Sequence, residues 1–385
     1  MRILIVSQTP WNPSAYGKIT YYVATGLKDL GYDIIVAGIE HRYGVLRYSG
    51  VPVFPLPMLH GKMLFKYIRV FSPDCVLSII DAWAFAGVDE LVRKYKVSWI
   101  AYTPVDAEID SQAEPLLSVL RYARGIMTPS RFSTEQLRKF FVNVEWVPHG
   151  VNTRIFRPMN KEECKKTLRL EGKFVFGCVA ANYSMRKDFP HLYKAFRIFL
   201  DMIPESECKD VVLFHHTWQP EFHRWGAEYN LVRLAKKYGI EKNLILPKED
   251  IRYFPASEEQ LALLYNAFDV YVTASMGEGF GIPLLESMAC GTPCIAPANS
   301  AHVEHVEGRG WLVKKFSGWV VPLYNPLQLE YPIVDEHALA EAMYDAYTHQ
   351  EKIKQFSKKC IEYASRYTWD FVLEKLEKAL LKFLS

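Results

Sequence analysis

The stretch DVYVTASMGEGFGIPLLESMACGTP, residues 269–293, reads as a strand, a glycine-rich turn and a helix in immediate succession. Residues 270–273 are apolar, β-branched or aromatic, as a buried strand requires. Gly277, Gly279 and Gly281 follow, marking a turn where backbone comes close to another group. Pro283 suits a first helical turn, where its missing N–H costs little, while Gly291 ends the helix and Pro293 prevents its resumption. A helix over 282–289 presents N–H groups and about half a positive charge at its start. That is a seat for a diphosphate, worth up to ~2 kcal/mol for a well-placed anion, which positions a ligand but performs no chemistry. Glu278 lies in the turn and Glu286 one to two helical turns on, with seven residues between them. A carboxylate beside an anion seat is electrostatically costly, so both are expected to accept hydrogen bonds from hydroxyl groups. Two solvated glutamates on a capped helix are the plainer alternative.

The same rhythm extends in both directions. Downstream of Pro158, strands are expected over 174–179, 211–214, 244–246, 270–273 and 293–296, with helices over 189–203, 229–238, 258–267 and 282–289. Upstream, strands are expected over 2–7, 33–37, 75–80, 99–102, 125–128 and 144–147, and a helix over 19–30 that stops at Gly31. Continuous apolar strands separated by helices indicate parallel sheets covered on both faces. A chain of 385 residues exceeds the roughly 250–300 that one core supports, so two domains are expected. The assignment is α/β, with two Rossmann-like doubly wound domains facing across a cleft. The first spans 1–156, joined by a C-terminal helix at about 367–385 that packs back on it; the second spans 157–366. Ligands of such sheets bind beyond the carboxyl ends of the strands, at a switch point in strand order.

Composition excludes several classes. The net charge of +3, with Lys and Arg scattered, gives no reason to expect nucleic acid. Residues 3–6 are too short an apolar run for a signal peptide, and no run of about 18 apolar residues would span a membrane. Seven cysteines without a Cys-x-x-Cys pair read as scattered reduced thiols. A cytoplasmic location is expected, with peripheral contact at the inner membrane face as a further expectation. Residues 58–69 are the candidate for that contact or for a lipid-linked acceptor, beside their reading as an ordinary amphipathic helix.

EGFGIPLLE from Glu278 to Glu286, followed by ACGTPCIA, resembles the paired-glutamate motif of retaining glycosyltransferases of GT-B fold, glycosyltransferase family 4 (group 1). VPHGVNTRIFRP, residues 147–158, is similar to that family's interdomain segment, usually Pro-Asn-Gly-Val-Asp with Phe-x-Pro after it. The resemblance implies that Glu278 holds the transferred sugar and Glu286 the ribose, with Gly279, Phe280 and Gly281 against the donor. In GCVAANYSMRKDFP, residues 177–190, it implies that Arg186 and Lys187 neutralise the leaving diphosphate without a metal. Relatives often carry an Arg about six residues before the Lys. Ala181 stands there, with Asn182 beside it as a substrate-binding candidate, so Arg186 is the candidate for the missing guanidinium.

Gly17, in the first strand–helix loop, is the close-approach candidate toward donor or acceptor. In WIAYTPVDAE, residues 99–108, many relatives carry a His after the strand; Asp106 occupies that neighbourhood and is the candidate to bind a sugar hydroxyl or stabilise the transition state. Residues 248–257, with Ile251, are the candidate base-holding loop, through backbone atoms. His215 and His216 point to opposite faces of a strand and read as buried or capping residues. His302-Val-Glu-His305 lacks the spacing of a zinc helix and reads as a structural element.

The implied activity is transfer of a hexose from a nucleotide-sugar to a hydroxyl acceptor, a glycan, lipid or small molecule, with retention and without a metal. The nucleotide-sugar is a co-substrate, and no cofactor is expected. A sugar-nucleotide epimerase and a catalytically silent sugar-nucleotide or glycan-binding protein are the alternatives. Base, sugar, acceptor, linkage and oligomeric state are not legible in the sequence.

Overall fold

The computed structural model describes residues 1–57, 61–85, 89–218, 229–322 and 327–385. Residues 58–60, at the head of the expected membrane-contact segment, lie outside these. The chain forms two compact units, one chiefly of residues 1–150 and 369–385, the other chiefly of residues 151–322 and 329–368.

In the first unit, β1 (Arg2–Gln8), β2 (Asp33–Ile39), β3 (Leu46–Tyr48), β4 (Val51–Leu56), β5 (Cys75–Ile79), β6 (Ser98–Tyr102), β7 (Gly125–Thr128) and β8 (Val144–Trp146) form one sheet. Their order is β3-β4-β2-β1-β5-β6-β7-β8, parallel except where β3 meets β4. The strand order reverses between β1 and β5. Ile3 to Val6 are all fully buried, as a strand covered on both faces demands. The β3–β4 hairpin was not expected from the sequence; every residue of β3 is exposed, so no apolar alternation marks it.

The helix Trp369–Leu384 belongs to this unit and buries Val372, Leu376, Leu380 and Phe383 along one stripe. Trp369 stacks on Tyr22 with ring centroids 4.4 Å apart, and Tyr32 donates to Glu377 at 2.7 Å. The other end is fixed by Gly125. A Cβ there would lie 2.2 Å from the Phe383 ring, so the helix seats against β7 only because that position has no side chain.

In the second unit, β9 (Phe174–Val179), β10 (Val211–His216), β11 (Leu244–Ile245), β12 (Val270–Val272), β13 (Cys294–Pro297) and β14 (Trp311–Val313) form an all-parallel sheet. Its order is β11-β10-β9-β12-β13-β14, so the chain moves outward one way from β9 and then returns to β9's other side with β12. An antiparallel pair, β15 (Phe316–Val320) and β16 (Tyr331–Val334), stands apart from it. Phe176, Phe196, Phe199, Leu213, Val270 and Ile295 are among the buried core residues. Among the described residues, no helix is long and apolar enough to cross a membrane.

Gly125→Ala is expected to destabilise the first unit by about 1–3 kcal/mol through overpacking against Phe383. In a double-mutant unfolding cycle with Phe383→Ala, the two costs should fall short of additive, because removal of the ring removes the collision. Additive costs would show that the helix does not seat on Gly125.

Candidate functional site

β9 and β12 are neighbours on which strand order reverses, so the loops leaving their carboxyl ends emerge side by side. The β9 loop, residues 180–188, ends in a tight turn over Met185–Lys187, capped by Ser184, whose hydroxyl accepts from the Arg186 N–H at 3.2 Å. The β12 loop, residues 273–281, carries Glu278. The two are stitched by backbone: Met276 N–H donates to the Arg186 carbonyl at 2.8 Å, and the Arg186 guanidinium donates to the Gly277 carbonyl.

Three of the four catalytic candidates meet here. Lys187 Nζ lies 2.5 Å from Glu278 Oε1, and Arg186 Nη1 lies 3.3 Å from Glu278 Oε2. Their side chains are only 17, 22 and 15% exposed respectively for Lys187, Arg186 and Glu278. Burial alone would raise the Glu278 carboxyl above its ordinary value, but Lys187 and Arg186 outweigh it and hold the group well below the usual carboxylate range. The fourth candidate, Asp106, is in the first unit, half-buried in the loop after β6. That loop is fixed by Ser133, which accepts from the Val105 N–H and donates to its carbonyl.

The helix Ile282–Ala289 follows directly, capped by Gly281 in a left-handed conformation, φ +86°. A side chain there would be strained, and its Cβ would lie 2.9 Å from Leu284. Leu284 and Leu285 both donate to the Gly281 carbonyl and Pro283 has no N–H, so the seat for an anion is narrower than a bare helix end. Glu286 is 3% exposed and accepts from the Tyr265 hydroxyl at 3.0 Å. Phe280 is buried edge-on to His305 with its carbonyl bonded to His305 Nε2 at 2.7 Å, so its ring belongs to the framework.

Other candidates occupy different surroundings. Asn182 is fully buried; its amide donates to the carbonyls of Trp218 and Tyr229 and accepts from the Tyr229 N–H, which pins the chain on both sides of residues 219–228. Ile251 lies in a turn held by Asp250, whose carboxylate is gripped by Arg252. Gly17 lies in the first turn of Ala15–Asp29, where a Cβ would sit 2.1 Å from the Asn12 carbonyl oxygen; the close approach it permits is to its own loop. His215 is fully buried against Phe189 and Tyr193, and burial lowers its pKa to about 3. Among the described residues, no group of three or more His, Cys, Asp or Glu is placed to hold a metal ion.

Sequence reasoning missed the support of the Glu278 loop. Asn299 donates to the Met276 carbonyl at 2.6 Å, Ser300 Oγ accepts from the Glu278 N–H at 2.8 Å, and Ala301 N–H donates to the Glu278 carbonyl at 3.3 Å. His302, fully buried and neutral because burial lowers its pKa to about 4, holds Asn299 through Nδ1 at 2.8 Å. Ser300 at φ +43° and Asp188 at φ +50° are non-glycine residues in left-handed conformations, one beside each loop. Such strain costs about 1–3 kcal/mol and persists where surrounding contacts enforce it. The signal in the sequence was the Asn-Ser pair after β13, but nothing local ties it to a loop more than twenty residues earlier.

Glu278's depressed carboxyl makes a signed prediction. Its stabilising contribution is present above the ordinary value of 4.5 and is lost as pH falls through the lower folded value. Lys187→Met removes the nearer cation, at a cost of about 2 kcal/mol at neutral pH. The gap between wild type and variant, measured by denaturant unfolding, should shrink below about pH 4.5. A gap constant from pH 7 to pH 3 would contradict the pairing.

A family model described as glycosyl transferases group 1 matches residues 160–363, more than half of the chain. A D-inositol 3-phosphate glycosyltransferase from Thermobispora bispora is 26% identical over 227 residues, 59% of this chain and 47% of that protein. The chain thus spans about half the length of the curated relatives it matches. Among solved structures, sucrose-phosphate synthase from Thermosynechococcus elongatus has a TM-score of 0.79 at 17% identity, covering 99% of this chain and 98% of that one. Anabaena Alr3699/HepE, solved in complex with UDP and glucose, has a TM-score of 0.74 at 15% identity over 99% of this chain and 100% of that one. The fold is GT-B, and the chain belongs to the group 1 glycosyltransferases.

Proposed function

We propose that the chain transfers a hexose from a nucleotide-sugar to a hydroxyl acceptor, with retention of anomeric configuration and without a metal. The observation that carries this reading is the pair of half-buried cations, Arg186 and Lys187, meeting Glu278 where strand order reverses. Family membership supports it, as do the curated relatives named for glycosyl transfer and a solved neighbour holding UDP and glucose.

In this reading the glycosidic bond to the diphosphate breaks, and charge develops on the leaving oxygens. Arg186 and Lys187 stabilise it, as fixed donors aimed at developing charge, with the backbone at Gly279, Phe280 and Gly281 completing the seat. The acceptor oxygen attacks from the same face, and the departing diphosphate takes its proton. Glu278 accepts from hydroxyls of the transferred sugar and Glu286 from the ribose, the Tyr265 hydroxyl fixing its carboxylate. The turn at Ile251 holds the base through backbone. Asn182 keeps the surrounding chain in place. From the first unit, Asp106 serves the hydroxyl-bearing substrates. A cytoplasmic location fits the cysteines, all seven of which are free thiols.

Thermal unfolding with a panel of UDP-, GDP- and ADP-sugars tests the donor class. The matching ligand at ~100 times its dissociation constant should add ~2.7 kcal/mol of stability, and Lys187→Ala should abolish the shift. In transfer assays Lys187→Ala should lower kcat about 10²–10³-fold, and Glu286→Gln should raise KM for the donor. A Lys187→Ala enzyme of unchanged turnover would remove that residue from the reaction.

A further inference from the structure

Lys187 and Arg186 direct their charge at one carboxylate. Glu278 Oε1 and Oε2 each face a different cation, at 2.5 and 3.3 Å, so the carboxylate lies across the pair as a bridging anion would. A diphosphate engaging Lys187 and Arg186 would compete with Glu278 for the N–H donors that point at it and for the charge of both cations.

The Glu278 backbone is fixed at both its N–H and its carbonyl, by Ser300 and Ala301, so release is a matter of side-chain rotation and not of loop movement.

We propose that Glu278 exchanges partners during donor binding: the diphosphate takes Lys187 and Arg186, and the released carboxylate becomes the acceptor for a hydroxyl of the transferred sugar. The inference rests on reading this site as the donor site. It gives Glu278 a second role, as a specificity-determining competitor for anions. A ligand displaces it by offering acceptors and negative charge to both cations at once, and a diphosphate brings more of both than a monophosphate. The exchange also couples the two halves of the donor, because the carboxylate reaches the sugar only after the phosphates have relieved it.

Calorimetric titration of wild type and Glu278→Gln with inorganic pyrophosphate, inorganic phosphate, UDP, GDP and ADP tests this. The amide cannot neutralise the cations, so Glu278→Gln should bind pyrophosphate and the matching nucleoside diphosphate about ten-fold more tightly. Its preference for pyrophosphate over phosphate should narrow, and sugar transfer should be lost. Glu278→Asp, charged but one methylene shorter, should fall between the two and carries the test should the Gln variant misfold. A wild type that binds a nucleoside diphosphate, in a manner lost in Lys187→Ala, while neither variant binds more tightly would overturn the exchange and leave the donor-site reading standing. No binding of any of these anions by wild type would overturn both.

Discussion

Lys187 and Glu278 meet at 2.5 Å across 90 residues of intervening sequence because β9 and β12 are adjacent in a sheet whose order reverses between them. A parallel strand delivers its following loop to the carboxyl edge, and at the reversal the loops of two adjacent strands start side by side there. Both loops are short and tied to each other by the Met276–Arg186 backbone bond. The cations and the carboxylate are thus delivered by the sheet and not by the flexibility of their side chains. Their burial makes the pairing matter: in an exposed turn the same charges would be screened and worth little.

The arrangement is held under strain. Asp188 leaves the turn that bears Lys187 in a left-handed conformation, with one carboxylate oxygen bonded to His191 at 2.6 Å. Ser300 adopts a similar backbone opposite, and its hydroxyl meets the Glu278 N–H. Gly281 then turns the chain into the helix Ile282–Ala289, nearly every residue of which is buried. Stabilising packing elsewhere in the second unit offsets these local costs. The rigid result is what an electrostatic role demands, since donors that must reorganise during a reaction contribute less to it.

Much of this was legible in the sequence. The strand–turn–helix at residues 269–293 and the amphipathic helix Trp369–Leu384 follow from periodicity and from glycine and proline placement, and the family resemblance singled out the basic pair after β9. The omissions have physical causes. β3 is exposed on every residue and Lys161–Thr167 is mostly charged, so neither carries an apolar period. The support of Glu278 by Asn299, Ser300 and His302 joins residues distant in sequence, and a lone Asn-Ser pair has many ordinary uses. Asn182 shows the reverse difficulty. Its polar side chain beside a basic turn suggested a ligand, yet the structure spends its amide on the backbone of Trp218 and Tyr229. Residue type and neighbourhood do not reveal which polar groups the fold has already satisfied.

The central claim is that a diphosphate is held by Lys187 and Arg186 at the carboxyl edge of β9 and β12. A crystal structure of the chain with the nucleoside diphosphate that it binds tests this most directly. Phosphate oxygens within hydrogen-bond distance of Lys187 Nζ and the Arg186 guanidinium, with the Glu278 carboxylate turned away from both, are the predicted result. A diphosphate bound elsewhere, with the Lys187–Glu278 contact intact, would contradict it.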